Sequence, residues 1–302
     1  MSFTSIVKNE LSKIEFDKLE IISELSGIFR NSSTIDKTIK FSTENASVAR
    51  RVYNDIKEIY QVNSVITVRH GYNYNKNYIY ILEINKNIKK IINDLNLDKE
   101  IPDNYLIDDD ILSRAYLRGV FIASGSINDP KKSRYHLEFS LDTNEYAKYI
   151  TNLLNKYDLN AKKIKRDNRY VVYIKEAEKI GDFLRMIHAI NALLYYEDIR
   201  IYRDHKNMTN RLNNCEQANV DKIIDTALKQ IQNINIIKEK ATLDLLDEKT
   251  LLAAQYRLKY PEVSLLELSE IITLETGKSI TKSGLYHRFK KIEKIADNIL
   301  HK

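Results

Sequence analysis

Lys282, Ser283, Tyr286, His287, Arg288, Lys290 and Lys291 gather, in one short stretch near the C-terminus, the side chains that reading a nucleic acid requires. Short polar groups at the start of a helix reach base edges, and cations meet phosphates. Helical phase turns Lys282, Ser283, Tyr286 and His287 toward a groove and leaves Arg288, Lys290 and Lys291 for phosphates. Ile280, Leu285, Phe289, Ile292 and Ala296 recur on the same segment at helical spacing and would hold it to a core. The preceding residues read as the element that positions it. Ser264 can cap a helix, with Glu267 three residues later completing a capping box. Leu265, Leu268, Ile271 and Ile272 supply its inward face, Gly277 lies in the connection, and Thr281 can cap the second helix. This is the grammar of a helix-turn-helix, and the expected partner is double-stranded DNA. The competing reading is an amphipathic helix whose lysines are merely solvated.

A second stretch carries its information in what is small. Ala115, Gly119 and Ala123 recur every four residues, so a helix here presents a stripe with almost no side chain, against which another helix could pack closely. SELSGIFRNSSTI from Ser23 repeats AYLRGVFIASGSI from Ala115, with Gly27 aligned to Gly119. After each copy come a strand-like segment (from Thr38 and from Tyr135), an amphipathic helix (from Ala46 and from Asn144), two further strands and a closing helix. The first pair of later strands is joined across Gly71 and Asn73, the second at Asn168. The stretch from Asp94 to Asp110, with Pro102 and a cluster of acids, reads as the connector between copies. The predicted lobes are residues 1–100 and 101–209. A polar segment, Arg211 to Lys222, is poor in large apolar side chains and reads as a tether at 210–222. A helical domain at 223–302 follows, its motif at about 263–296.

Composition sets the outer limits. Of 302 residues, 43% are hydrophobic and 30% charged, which suits a soluble globular chain of two or a few domains. No apolar run approaches the ~20 residues of a membrane span. The N-terminus lacks an apolar signal core, and a cytoplasmic, nucleoid-associated protein is the expectation. The single Cys215 excludes an intrachain disulfide and a cysteine-cluster metal site. The six histidines, among them His70, His136, His188 and His205, show no metal-ligand spacing. The net charge of +6 is compatible with nucleic acid, and six Lys/Arg against one acid, Glu293, fall between Lys278 and Lys294.

The stripe at Ala115 resembles the LAGLIDADG motif of homing endonucleases, whose residue before the terminal glycine is an acid that holds a catalytic metal. Aligning both copies to that motif puts Ser32 and Ser124 there. A serine hydroxyl is uncharged at neutral pH and a poor Mg²⁺ ligand, so no catalytic residue, metal or cofactor is expected. Asp129 lies beyond a glycine turn, its counterpart is Lys37, and it reads as a turn residue before Pro130. The resemblance implies an α+β fold: duplicated αββαββα lobes forming a saddle, then an all-α helix-turn-helix domain. On such a saddle the basic hairpin with Lys162, Lys163, Lys165, Arg166 and Arg169 would be either a secondary phosphate contact or simply solvated.

Three segments together are more specific. AYLRGVFIASGSINDP, NRLNNCEQANVDK (from Asn210) and ITKSGLYHRFKKI (from Ile280) resemble, in order and spacing, the signatures of the WhiA family. That resemblance covers essentially the whole chain and implies a non-catalytic bacterial DNA-binding regulator tied to sporulation, cell division or chromosome segregation, with transcription or division proteins as further partners. The first repeat, LSGIFRNSS, departs further from the motif than the second. A division-linked adaptor acting through protein partners and a residual nuclease are the competing readings.

Overall fold

A computed structural model describes residues 2–70, 78–132, 134–240 and 246–301 and divides the chain into two units, Met1–Arg203 and Asp204–Lys302. The first unit contains both repeats. In the first, α2 (Lys18–Ser32) leads into β1 (Ser33–Ile35) and β2 (Ile39–Thr43), then α3 (Ala46–Tyr60), β3 (Val65–His70), β4 (Tyr78–Ile84) and α4 (Ile88–Asp94). The second runs α5 (Asp110–Ser124), β5 (Gly125–Ile127), β6 (Leu137–Leu141), α6 (Asn144–Asn155), β7 (Lys162–Arg166), β8 (Arg169–Ile174) and α7 (Ala177–Met186). Each copy is the predicted αββαββα. Each sheet is antiparallel with the same order, β1-β2-β4-β3 and β5-β6-β8-β7. The Gly71–Asn73 connection lies outside the described residues. Asp167, at positive φ, and Asn168 form the tight turn of the other hairpin.

The two glycines explain how α2 and α5 meet. A Cβ on Gly27 would sit 2.5 Å from the Tyr116 carbonyl oxygen and 2.9 Å from the Val120 nitrogen. A Cβ on Gly119 would run into the Glu24 carbonyl. Each glycine thus faces the backbone three residues before its partner, a reciprocal arrangement that only a side-chain-free stripe permits. Around this crossing the core takes Leu25, Ile28, Phe29, Leu117, Val120 and Phe121 with the inner residues of both sheets, such as Phe41, Leu82, Phe139 and Val172.

The two flanks of the crossing differ in chemistry. On one, Arg118 is fully buried, donates from Nε to Glu24 at 2.5 Å and lies 3.5 Å from the centroid of the Phe16 ring. Glu24 also faces Arg51 Nη2 at 3.6 Å, and Arg51 holds Asp55 at 2.7 Å. Burial raises the Asp55 carboxyl to about 6, against the opposing pull of Arg51. On the other flank the Tyr116 and Tyr146 hydroxyls lie 2.8 Å apart, and Asn31 donates to Tyr146 at 3.0 Å. Burial pushes both phenols above their ordinary value.

Helix α1 (Phe3–Leu11) precedes the repeats, burying Phe3, Val7 and Leu11, while Thr4 Oγ1 donates to the Ile127 carbonyl and accepts from its amide, both at 2.9 Å. Helix α8 (Ile190–Lys240) begins in the first unit, where Ala192, Leu193 and Tyr196 join its core. The segment expected as a tether, 210–222, lies inside α8 and is helical, with its residues exposed. No Gly or Pro occurs from Ile190 to Lys240, so nothing local ends the helix. The contact boundary at Arg203 falls just before that segment. Three further helices, α9 (Glu248–Lys259), α10 (Leu265–Thr276) and α11 (Lys282–Leu300), complete the second unit. Their core joins Ile234 and Ile237 of α8 to Ala253, Ala254, Leu268, Ile272, Leu285, Phe289, Ile292 and Ala296. Of the predicted inward face of α10, Leu268 and Ile272 are buried and Leu265 packs on the core, but Ile271 is only half-buried.

Candidate nucleic-acid interface

Helix α10 starts as its sequence predicts. Ser264 Oγ accepts from the Glu267 amide at 3.2 Å, and the Glu267 carboxylate accepts from the Ser264 amide at 2.8 Å, a complete capping box. Those bonds hold the Glu267 carboxyl below its usual range. Gly277, at φ 66°, ends the helix in the left-handed conformation that costs a side chain most. Thr281 then caps α11, accepting from the Gly284 amide at 3.1 Å. Two helices joined by a five-residue turn, Gly277–Thr281, with the second half-sunk on Leu285 and Phe289, place the start of α11 at the surface.

The seven candidates on α11 do not share one face. The buried residues Leu285, Phe289, Ile292 and Ala296 define the inner side, so Ser283, His287 and Lys290 point most directly outward. Lys294 extends that stripe by one turn. The sequence reading omitted it, although the 283, 287, 290, 294 spacing would have found it. Lys282 and Tyr286 are exposed along one flank, with Tyr286 and His287 rings in edge contact at 5.7 Å. Arg288 is half-buried on the other flank, and Lys291 is tied to Asp247, before α9, at 2.5 Å. That bond and the Thr250 amide depress the Asp247 carboxyl strongly. Lys290 pairs with Glu293 at 2.7 Å. Among the described residues only Lys290 and Lys291 of the seven are held in ion pairs, and Lys282, Ser283, Tyr286, His287 and Arg288 make no side-chain hydrogen bond or ion pair there.

Strand register divides the basic hairpin as well. Lys163 and Lys165 lie opposite Val172 and Tyr170, on the side that faces the helices, and Lys163 donates to Asn144 at 2.6 Å. Lys162, Arg166 and Arg169 lie on the open side with Ser126, Glu138, Ser140 and Tyr173. Arg169 is shared with Asp142 at 3.2 Å. The equivalent open side of the first sheet carries Lys40 and Arg69, with Lys40 opposite Glu83 at 3.5 Å. The sequence reading passed over these two, and the register of the repeat identifies them.

Ser32 and Ser124 occupy equivalent last positions of α2 and α5. Each hydroxyl is turned back on its own helix, donating to Ile28 at 2.7 Å and to Val120 at 3.0 Å. Asp129 is a turn residue: its carboxylate accepts from the Lys131 amide and its carbonyl from Lys132, both at 2.9 Å. Among the described residues, no three His, Cys, Asp or Glu side chains converge as a metal site would require.

Three family models match successive parts of the chain: the WhiA N-terminal LAGLIDADG-like domain over residues 20–98, the WhiA LAGLIDADG-like domain over 113–206 and the WhiA C-terminal HTH domain over 209–296. The probable cell division protein WhiA of Staphylococcus epidermidis is 42% identical, the match covering 99% of this chain and 98% of the relative. The protein of the same description from Enterococcus faecalis is 41% identical over 100% and 99% of the two chains. Among solved structures, full-length WhiA from Thermatoga maritima superposes with a TM-score of 0.61 at 28% identity, covering 99% of both chains. The isolated N-terminal LAGLIDADG domain of WhiA superposes with a TM-score of 0.51 at 26% identity, covering 62% of this chain and 92% of that one. With the doubled αββαββα unit, the capped helix pair and relatives matched over their whole length, the chain belongs to the WhiA family.

Proposed function

We propose that the protein is a non-catalytic, sequence-specific DNA-binding regulator, its specificity carried by the start of α11. The observation that supports this most is local. Lys282, Ser283 and His287 stand exposed at the first turns of a helix that Thr281 caps and that Leu285 and Phe289 anchor, as a recognition helix must. Lys290, Arg288 and Lys291 lie further along and suit phosphates, the last two from the flank next to α9. The doubled unit is the scaffold in this reading. At both positions where a LAGLIDADG nuclease carries its acid, the hydroxyl is spent on its own helix carbonyl. The open sides of the two sheets, with Lys40, Arg69, Lys162, Arg166 and Arg169, are a secondary surface for phosphates.

Genome-wide occupancy tests the reading. Discrete promoter sites, lost when Lys282 and Lys290 are both replaced by alanine, are the expected result. Sites that persist in the double variant would remove α11 as the reader. Broad, weak occupancy would instead favour an adaptor that works through proteins, consistent with relatives named as division proteins. Cleavage of duplex DNA with Mg²⁺ or Mn²⁺, abolished by changing Ser124, would overturn the non-catalytic assignment.

A further inference from the structure

A cleft of about 360 Å³ in the second unit is walled by α8, the end of α9, the start of α10 and the first residue of α11. Three cations line it, Lys222, Arg257 and Lys282, with the hydroxyl residues Thr226 and Ser264. No Asp or Glu is among its lining residues. Arg257 is the informative member. It is 1% exposed, yet no carboxylate among the described residues meets it: Nε donates to Gln230 at 3.0 Å, and Nη1 donates to the carbonyls of Val263 at 2.7 Å and Tyr260 at 3.2 Å. Nη2 donates no hydrogen bond to a described residue. Burial without a counter-ion lowers its pKa from the ordinary arginine value. A buried guanidinium is ordinarily offset by a fixed anion. Here every hydrogen-bond partner of the guanidinium among the described residues is a neutral carbonyl or amide. Leu265 and Leu266 also line the cleft, and their amides belong to the first turn of α10, where intrahelical acceptors are lacking.

We propose that this cleft seats a phosphate group, held by Lys222, Arg257 and Lys282. Phosphate fits better than carboxylate because three cationic groups from three different helices can converge on its charged oxygens, two in a diester and three in a monoester, and the wall leaves room for the body that carries it. Two sources carry that chemistry: a backbone phosphate of bound DNA, or a free phosphorylated small molecule. Lys222 closes the polar segment Arg211–Lys222, and the cleft gives that segment a task beyond spacing. Arg257 also lies 5.6 Å from the Phe289 ring centroid of α11, so occupancy would be felt at the proposed recognition helix.

The first source rests on the DNA-binding reading above, and the experiment separates the two. Lys222→Gln in the full chain changes an exposed side chain and leaves the fold unaffected. If DNA supplies the phosphate, the variant binds target and scrambled duplexes roughly three- to tenfold more weakly alike, and the salt slope of binding falls by about 1. If a small molecule supplies it, the variant binds DNA as the native chain does. The Thr226 and Ser264 amide resonances of the native chain then shift on titration with inorganic phosphate or a nucleoside monophosphate, and those of the variant do not. Unchanged DNA binding together with unchanged amide resonances overturns the proposal. A native chain that binds no duplex would sink the DNA-binding reading while the amide titration still decides the cleft.

Discussion

Adding one methyl group to Gly119 should cost the first unit more than most core truncations would suggest from size alone. The added Cβ meets the Glu24 carbonyl group and Cα, all backbone, so no side chain can rotate away. Overpacking of this kind costs about 1–3 kcal/mol, and backbone on both sides puts Gly119→Ala at the upper end. Alanine recovers about 1 kcal/mol in helix propensity, leaving a net loss of about 2 kcal/mol. For a unit the size of Met1–Arg203 this corresponds to a fall of roughly 4–8 °C in its melting temperature. Gly27→Ala meets the Tyr116 oxygen at 2.5 Å and Gly119 carbonyl carbon at 3.2 Å, and should cost a similar amount. The two changes wedge apart the same pair of backbones, so the second should cost less once the first is present. Scanning calorimetry on the full chain, run as a double-mutant cycle, reads both quantities. Native-like melting in either single variant, or strict additivity in the double, would refute the reciprocal backbone contact.

Three further outcomes follow from the same structure. Arg118→Met removes the guanidinium from a buried pair and strands Glu24, so chemical denaturation should show a loss of about 3–5 kcal/mol, less if Arg51 takes over the carboxylate. Because burial raises the folded pKa of Asp55 to about 6, above its unfolded value, the folded state binds the extra proton, and the first unit should lose stability as pH rises from about 4 to 6. Asp55→Asn should flatten that decline, which equilibrium unfolding at stepped pH would detect. Ser264→Ala opens the capping box and should lower only the transition of the second unit, by about 1 kcal/mol, leaving the transition that Gly119→Ala moves in place.

Much of this architecture was legible from residue spacing because its causes are local. Ser264, Glu267, Gly277 and Thr281 act within their own turns, and the stripes at Leu285 and at Gly119 state a helix face directly. What escaped has longer-range causes. Helix α1 was passed over although Phe3, Val7 and Leu11 recur at helical spacing; what the sequence does not give is their partners, among them Tyr195 and Tyr196 far along the chain. The helical state of the polar run at Arg211 leaves no stripe in the sequence, because burial is what periodicity detects and an exposed helix buries nothing. The hairpin cations looked like one patch, yet register sends Lys163 and Lys165 to the opposite side from Lys162 and Arg166. On α11, Lys290 and Lys291 look free in the sequence, while Glu293 and Asp247 hold them in the fold. The cleft at Arg257 unites four helices, and no single stretch of sequence contains it.

The unlike flanks of the α2–α5 crossing bear on how interchangeable the lobes are. Gly27 and Gly119 are equivalent, which makes Glu24 the counterpart of Tyr116 and Ser26 the counterpart of Arg118. A symmetric pair of second lobes would bury two Arg118 guanidiniums facing two Tyr116 rings, with no carboxylate for either. A pair of first lobes would bury two Glu24 side chains, each without Arg118 and left to the Arg51 of its own lobe at 3.6 Å. Only the mixed pair closes both flanks. Charge has turned a duplicated module into a lock and its key, so either half expressed alone should find no stable companion in its own copy.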